Sequence, residues 1–483
     1  MKSPIVDQFG RGVSANSWFY QSANFGANRE RRFLPVITGD VKETSDRWSR
    51  MTMLGYSRLL SENSGLVSEA VRSMSVYSVG NGLVPQSRVT DQKIAQAHKQ
   101  YFADWSRNAD IQGIYTFSGF EDLASQATDV DGDIGFLKMR NDQNRPRLQV
   151  VEGHRIGSAT DDEGFNDGVS SDASGRPLQY KVKEGKDDYR AIDANNFLLV
   201  YEPFRGSQKR GITRLKHAIN NCRDIDDLLY YAKVSAKMIE AIGFQIISDS
   251  GALDSGAGYI ESGFDAASTG NLAQESFAAG MIPRLKPGEE IKPLMSNHPQ
   301  SAFQGFIEFL IRDISAGMGL PFEFVWDPTK CGGANQRFVL AKAQRRFDQR
   351  QNTIITRLCN PVWAWVIGDG IHRKEIPFAP NWMRAMWHGP AKITVDVGRE
   401  ANANRDDMKF GVRTMSLDAG EQGLDWRSDI RDQFDIETED LMVRAEKLVE
   451  THPKLTLPEA ISLLRQASPN PPIAPVPGTP ILA

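Results

Sequence analysis

Cysteine is scarce in this 483-residue sequence, which contains only Cys222, Cys331 and Cys359. Because the number is odd, the spacing is wide and no CxxC pair occurs, the pattern argues against a disulfide framework and against a structural zinc site. A reducing compartment fits this usage. The seven histidines show no metal-ligand spacing with one another, so we expect them to be surface or packing residues and expect no metal or cofactor.

Long apolar runs and an excess of positive charge are also missing. The most apolar stretch, FQGFIEFLIRDISAGMGLPFEFVW, is interrupted by Glu308, Arg312 and Asp313, and the first residues, MKSPIVDQFGRG, lack the apolar core of a signal peptide. We therefore expect no membrane-spanning segment and no membrane partner. With 57 basic and 61 acidic residues the net charge is −4, so any contact with DNA is expected to be local or loose.

Sequence motifs of common enzymes are absent. The sequence has no GxGxxG after a strand, no HExxH, no GxSxG and no GxxxxGK[ST]. In DPTKCGGANQRF, residues 327–338, Lys330 precedes Gly332 and Gly333, which is the reverse of the order in a phosphate-binding loop. Adjacent carboxylates, such as Asp226 with Asp227, do not face each other on a helix and make a poor acid/base pair.

Three alternating aspartates, Asp129, Asp131 and Asp133, imitate the first half of a calcium-binding loop. The imitation fails, because Ile134 stands where such a loop needs glycine and Arg140 where it needs a bidentate glutamate. In TFSGFEDLASQATDVDGDIGFLKMR the sequence predicts a helix that gives way to a turn at Gly132 and then to an alternating strand, and we interpret the aspartates as a hairpin turn rich in Asp and Gly.

The composition is that of a folded globular protein, with 40% hydrophobic and 24% charged residues, and the length allows about two to four domains. The spacing of apolar residues predicts helices, and alternation predicts short strands, so the expected fold class is α+β. The predicted helices cover 45–79, 92–105, 212–239, 300–318, 335–359, 399–413, 426–432, 437–450 and 457–466, with a further helix beginning at Asn360 and Pro361. The predicted strands lie within 147–201 and in a small β-containing insert over 240–296, which has a hairpin turn at Pro287 and Gly288.

The predicted helix over 212–239 carries one narrow apolar seam and would be on the order of 40 Å long. Such a helix requires neighbours along its length rather than one compact core. Its seam consists of Leu215, Ile219, Cys222, Ile225, Leu229, Ala232, Ala236 and Ile239.

Basic residues recur on two predicted helices. Each group either meets phosphates or forms a solvated face with its charges partly paired, and the sequence alone leaves both open. The helix after residue 335 carries Arg337 and a candidate basic stripe of Lys342, Arg345, Arg346 and Arg350. The long helix carries Arg214, Lys216, Arg223, Lys233 and Lys237 off its apolar seam.

Several stretches, in this order and spacing, resemble the portal proteins of tailed bacteriophages, specifically the lambda-type portal family. The resemblance runs from about residue 45 to 450. It is carried by DGDIGFLKMR, LQVVEGHRIG, DGVSSDASGRPLQYKV, VYEPFRGSQKRGITRLKHAI, LKPGEEIKPLMSNHPQSAFQGFIEFLIRDISAGMGLPFEFV and WHGPAKITVDVGREANANRDDMKFGVRTMSL.

The resemblance implies a portal fold with wing, stem, clip and crown regions that assembles as a ring, usually a dodecamer, at one vertex of the capsid. Such a ring nucleates procapsid assembly and conducts double-stranded DNA during packaging and ejection. It docks the terminase large subunit and a head-completion or adaptor protein, and it contacts the major capsid protein. The chain would act without bond chemistry, in the host cytoplasm during assembly and then in the virion.

The resemblance also implies boundaries and site residues. The regions would be an N-terminal arm over 1–44, a wing over 45–209 and 338–430, stem helices over 210–240 and 297–324, a clip over 241–296, a tunnel loop over 325–337, a crown over 431–466 and a proline-rich flexible tail over 467–483. The tunnel loop would meet DNA through Lys330, Gly332, Gly333, Asn335 and Arg337. The clip would dock partners through Arg284, Lys286, Glu289 and Glu290.

Two alternatives come from other classes. One is a nucleic-acid-processing enzyme subunit with a phosphate-binding loop at 327–338. The other is a different head-to-tail adaptor, which is disfavoured because such adaptors are generally much shorter chains.

Overall fold

The computed structural model describes residues 39–41, 46–158, 164–185, 188–242, 244–248, 289–293, 301–326, 333–393, 397–422, 424, 426–452 and 455–466. Most of the predicted arm and the whole proline-rich tail therefore lie outside the described residues. The architecture is a mixture of helices and small antiparallel sheets, as expected for the α+β class.

The first predicted helical run is divided into two helices, α1 (Arg47–Asn63) and α2 (Gly65–Ser78). The Asp46 side chain caps α1 by accepting a hydrogen bond from the Ser49 amide, and Ser64 is extended between the two helices. Strand β1 (Val84–Ser87) follows, and then helices α3 (Gln92–Ser106) and α4 (Phe117–Val130). The prediction for α3 is confirmed to within one residue.

Two three-stranded antiparallel sheets follow. The first has the order β3-β2-β7 and consists of β2 (Asp133–Arg140), β3 (Pro146–Glu152) and β7 (Phe197–Tyr201). The second has the order β4-β5-β6 and consists of β4 (Val169–Ser171), β5 (Pro177–Lys183) and β6 (Tyr189–Asp193). Apolar side chains from both sheets, among them Ile156, Tyr180 and Phe197, share one core.

The long predicted helix is present as α5 (Ile219–Ile242), preceded by a 3₁₀ turn at Arg214–His217. Its 24 residues span roughly 36 Å. Strand β8 (Phe244–Ser248) pairs antiparallel with β9 (Glu289–Pro293), so the insert does contain β structure. The predicted hairpin at Pro287 and Gly288 lies outside the described residues.

Helix α6 (Ser301–Met318) ends where predicted, because Gly319 adopts a left-handed φ of +78° and Pro321 follows it. A short helix, α7 (Phe322–Val325), comes next. Helices α1, α2, α5, α6 and α7 pack together with the following helix around a core that we name the second core, which includes Met74, Leu215, Ile314 and Phe347.

That following helix corrects one prediction. Helix α8 (Gly333–Ile354) continues through a π-helical turn at Ile355–Cys359 directly into α9 (Asn360–His372), so no new helix begins at Asn360. The Asn360 amide bonds to the Ile355 carbonyl in the π turn, and the widened turn carries the helix past Pro361, which has no N–H to donate. Leu358, Cys359 and Trp363 are buried with Phe102 and Phe120 in another core, which we name the first core, and this burial favours the continuous path.

Strand β10 (Ala385–His388) pairs with β1 across almost 300 residues of sequence. Helices α10 (Val397–Lys409) and α11 (Met415–Glu421) follow, and α11 was not predicted. A π-helical segment at Trp426–Arg431 runs directly into α12 (Asp432–Thr451), so the two helices predicted there are one. The last helix, α13 (Leu457–Gln466), has the predicted bounds. None of the described helices is both long and apolar enough to cross a membrane.

Candidate nucleic-acid interface

The three alternating aspartates lie where α4 turns into β2, and each is bound by a different arginine. Asp129 pairs with Arg350. Asp131 accepts from Arg58 Nε at 2.7 Å, and Asp133 Oδ2 accepts from Arg210 Nε at 2.7 Å. The predicted change from helix to strand at Gly132 is confirmed, whereas the interpretation of the aspartates as a hairpin turn is wrong, because the turn joins a helix to a strand. The described residues contain no group of three potential metal ligands.

Close approach of two backbone segments shapes this turn. Gly132 has φ +93°, and a Cβ on it would lie 2.6 Å from the Ile212 carbonyl carbon and the Thr213 nitrogen. The Gly211 amide donates to Asp133 Oδ2 at 2.7 Å. The turn is thus fixed against the segment that leads into α5.

A second carboxylate, Glu202, follows strand β7 and binds three arginines. Its Oε1 accepts from Arg350 Nε at 2.7 Å, and its Oε2 accepts from Arg346 Nη2 at 2.9 Å and from Arg214 Nε at 2.9 Å. Burial alone would raise the pKa of Glu202, but the charges of Arg350 and Arg346 outweigh it and hold this pKa well below its usual range. Glu202 therefore stays ionised and joins β7, α8 and the turn before α5.

A third cluster surrounds Asp167, a residue with φ +46°. Arg50 donates to its carboxylate from Nε at 2.6 Å, and Arg47 donates from Nη1 at 3.0 Å. Burial would raise the pKa of Asp167, but the nearby Arg210 and Arg50 lower it overall. Asp167 and Glu202 were not predicted as site residues. The only sequence signal for them was their position within or just after short strand segments that are apolar or rich in glycine.

The predicted basic stripe on α8 is partly wrong. Arg346 is 8% exposed and Arg350 is fully buried, and both neutralise carboxylates inside the chain. They cannot meet phosphate on the surface without breaking these pairs. Lys342 and Arg345 are exposed, as is Arg337.

The predicted cations of the long helix divide in the same way. Arg214 pairs with Glu202, Lys216 Nζ lies 3.8 Å from the Phe204 ring centroid, and Arg223 lies over the Tyr56 ring. Lys233 and Lys237 are exposed on the distal half of α5. Among the described residues, the predicted cations at the surface are these two and Arg223, Arg337, Lys342 and Arg345.

The predicted tunnel loop is partly helical. Gly333, Asn335 and Arg337 lie in the first turns of α8, and Val325 belongs to α7. Lys330 and Gly332 lie outside the described residues. In the predicted clip, Glu289 and Glu290 are in β9, whereas Arg284 and Lys286 lie outside the described residues.

Among the residues that the structure describes, the apolar seam of α5 is buried in its first half and is exposed at Leu229 and Ala236, with Tyr230 and Tyr231 beside it. Ile219, Cys222 and Ile225 are buried against α6 and the second core. Farther along, Tyr230 is 63% and Tyr231 is 68% exposed. On α6, Phe306 is 51% and Phe309 is 65% exposed. We name these four exposed residues the aromatic ridge; aromatic residues are enriched at protein–protein interfaces.

Solved structures that resemble this one include a chain in the neck of an empty gene transfer agent particle, with a TM-score of 0.46 and 14% identity over 79% of this chain and 97% of that chain. A portal protein of the HK97 phage family from Corynebacterium diphtheriae matches with a TM-score of 0.35 and 12% identity, over 70% of this chain and 94% of that chain.

Sequence relatives include a probable portal protein of Halomonas phage phiHAP-1, which is 25% identical over 300 residues. The match covers 56% of this chain and 56% of the relative, so the chain spans little more than half the length of this curated relative. The family model described as phage portal protein, lambda family, matches residues 34–351, which is more than half of the chain. The chain therefore belongs to the lambda family of phage portal proteins, which are structural components of phage capsids and not enzymes.

Proposed function

We propose that this chain forms a ring, with the dodecamer as the expected form, at the unique vertex of a phage capsid. The ring would nucleate procapsid assembly and serve as the channel through which double-stranded DNA enters and leaves. The terminase large subunit, a head-completion or adaptor protein and the major capsid protein would be its partners. Family membership supports this proposal and sets aside the alternative of a nucleic-acid-processing enzyme.

The observation that carries the ring is the aromatic ridge. Four aromatic side chains on the packed helix pair α5 and α6 are more than half exposed to solvent, and covering the apolar surface that they expose would be favourable at about 25 cal/mol per Å². A second copy of the same helix pair can cover them, and a head-to-tail contact of this kind closes into a ring when the rotation between copies permits. The sequence predicted that this long helix requires neighbouring helices along its length, and the partly exposed seam of α5 agrees with that prediction.

The regional boundaries are part of the proposal. Helices α5 and α6 would be the stem, the β8–β9 pair would belong to the clip, and α12 and α13 would form the crown. The sheets β3-β2-β7 and β4-β5-β6 would lie in the wing. The ion pairs of Arg210 with Asp133 and of Arg214 with Glu202 link these proposed stem and wing segments.

Contact with DNA would be sparse and transient. A conduit must not hold its cargo tightly, because each phosphate bound adds affinity that slows sliding. We assign these contacts to Lys330 and Arg337 near the start of α8, with Lys342, Arg345, Lys233 and Lys237 as further candidates. The clip residues Arg284, Lys286, Glu289 and Glu290 would dock terminase and the head-completion protein.

Negative-stain electron microscopy of the purified full chain tests the ring. Rings with an open centre of roughly 20 Å or more, wide enough for a duplex, are the expected result. The double variant Tyr231→Glu with Phe309→Glu should give monomers or small oligomers, because it places charge in the interface. Leu178→Glu, at a residue of β5 that is 48% exposed, is the matched control and should leave rings intact. Monomeric wild-type chain at high concentration would overturn the ring, and rings formed by the double variant would exclude the ridge as the interface.

A further inference from the structure

An open groove of about 630 Å³ lies at one end of the β1–β10 sheet. Its volume is within the usual range of ligand-binding clefts. Its lining contains two arginines, two asparagines and two apolar residues, and no carboxylate: Arg88, Arg384, Asn360, Asn381, Met383 and Ala385.

The two arginines face each other. Ser87 pairs with Ala385 at the end of the ladder, and one residue beyond, the Arg88 amide donates to the Arg384 carbonyl at 3.0 Å. Like charges opposite each other in an antiparallel pair are destabilising. Within the part of the chain that the structure describes, no carboxylate lies within ion-pair distance of either guanidinium, and Arg88 Nη2 lies 2.7 Å from the weak acceptor Met386 Sδ.

Many other arginines of the described chain have carboxylate partners. Arg47, Arg58, Arg140, Arg210, Arg350, Arg373 and Arg413 all pair with carboxylates. Arg88 and Arg384 lie opposite each other and line a groove. They can therefore bind an anionic group of another molecule.

The asparagines add donors with a defined position. Asn360 Oδ1 accepts the Trp387 indole N–H at 2.9 Å, so the groove can use its amide N–H groups. Asn381 has φ +63°, and its carbonyl accepts from the Arg384 amide at 2.9 Å, which closes a tight turn and holds Arg384 in place. The groove thus offers guanidinium and amide donors from fixed backbone positions, a combination that suits carboxylate oxygens.

We propose that this groove binds an extended acidic segment of a partner protein, with carboxylates at the two arginines and an apolar side chain against Met383 and Ala385. Met383 is 57% exposed, and a peptide could cover this apolar surface as a duplex backbone could not. A duplex would instead require phosphate donors along an extended basic surface. The proposal goes beyond the ring and channel and does not depend on them.

The test is fluorescence anisotropy with the full chain and a labelled hexapeptide of alternating Val and Glu. Its counterpart with Gln in place of Glu is the neutral control. We expect the acidic peptide to bind and the neutral one to bind at least about tenfold more weakly. Arg88→Gln with Arg384→Gln should lose about tenfold in affinity for the acidic peptide. Arg107→Gln with Arg190→Gln removes the same charge from exposed positions outside the groove lining and should bind like wild type.

Three results would overturn the proposal. The two peptides could bind equally, or the groove variant could bind the acidic peptide as well as wild type does. A short DNA duplex could displace the peptide and lose its own affinity in the groove variant, which would make the groove a phosphate site. Circular dichroism of the variants distinguishes loss of binding from loss of folding, and none of these results bears on ring formation.

Discussion

Arg350 and Glu202 form a buried ion pair, with 2.7 Å between Nε and Oε1, although 148 residues separate them in sequence. The same guanidinium binds Asp129 and the Ser125 carbonyl of α4. Glu202 in turn binds Arg346 and Arg214. One carboxylate therefore holds α8 against strand β7 and against the start of the segment that leads into α5.

We expect Glu202→Gln to destabilise the fold strongly. The change keeps the shape but leaves the buried Arg346 guanidinium without its counter-charge and Arg350 with Asp129 alone, and breaking a buried pair in this way costs about 3–5 kcal/mol. Urea denaturation at a fixed protein concentration measures the free energy of unfolding. Glu184→Gln is the control, because its pair with Arg190 is exposed and such pairs contribute about 0–1 kcal/mol. Equal effects of the two variants would contradict the importance of the Glu202 cluster.

Glu121 predicts a pH dependence of stability. It is fully buried in the first core, accepts from the Leu83 amide at 2.9 Å and contacts Cys359, and burial raises its pKa from 4.5 to about 8. The unfolded chain loses this proton above pH 4.5, whereas the folded chain keeps it. The stabilising contribution is therefore complete below pH 4.5 and is lost as the pH rises to about 8, at about 1.4 kcal/mol per pH unit.

Glu121→Gln should remove this component, so its free energy of unfolding should depend less steeply on pH between 4.5 and 8 than that of wild type. Urea denaturation over this pH range gives the slope. Glu62→Gln, at an exposed position of α1, is the control and should keep the wild-type slope. Parallel curves for wild type and Glu121→Gln would show that Glu121 is ionised in the folded chain.

Local patterns in the sequence predicted most helices but not which charges would be buried. The bounds of α13 and α3 follow from the spacing of their own apolar residues. In the structure the Asp91 side chain also caps α3. Arg345 and Arg346 are adjacent and of one type, yet only Arg346 is buried. Its partner Glu202 lies 144 residues away in sequence, so the local pattern could not show which of the two arginines would be buried. The path of α8 through Pro361 was missed because local rules favour a helix start at Asn-Pro, and packing of the first core overrides them.

The turn between α4 and β2 gives a prediction about backbone geometry. Gly132→Ala should lower stability more than the about 1–2 kcal/mol expected for a left-handed alanine, because its Cβ would also meet Ile212 and Thr213 at 2.6–2.7 Å. Gly113→Ala is the matched control, since Gly113 has φ +76° and no atom within 4 Å of an added Cβ. Thermal and urea denaturation compare the two. If Gly132→Ala lowers the free energy of unfolding no more than Gly113→Ala does, the segment at Ile212 moves freely away from the turn.

The proposed tunnel loop gives a functional prediction. Lys330→Ala with Arg337→Ala should impair DNA packaging or retention and leave ring assembly intact, because it removes phosphate contacts without touching the aromatic ridge. Complementation of a portal-deficient phage measures packaged genome, and electron microscopy measures rings. Arg444→Ala with Lys447→Ala removes the same charge from exposed positions of α12 and should package normally. Failure of the Lys330 and Arg337 variant to form rings would instead assign the loop a structural role, and normal packaging would show that these cations only line the channel.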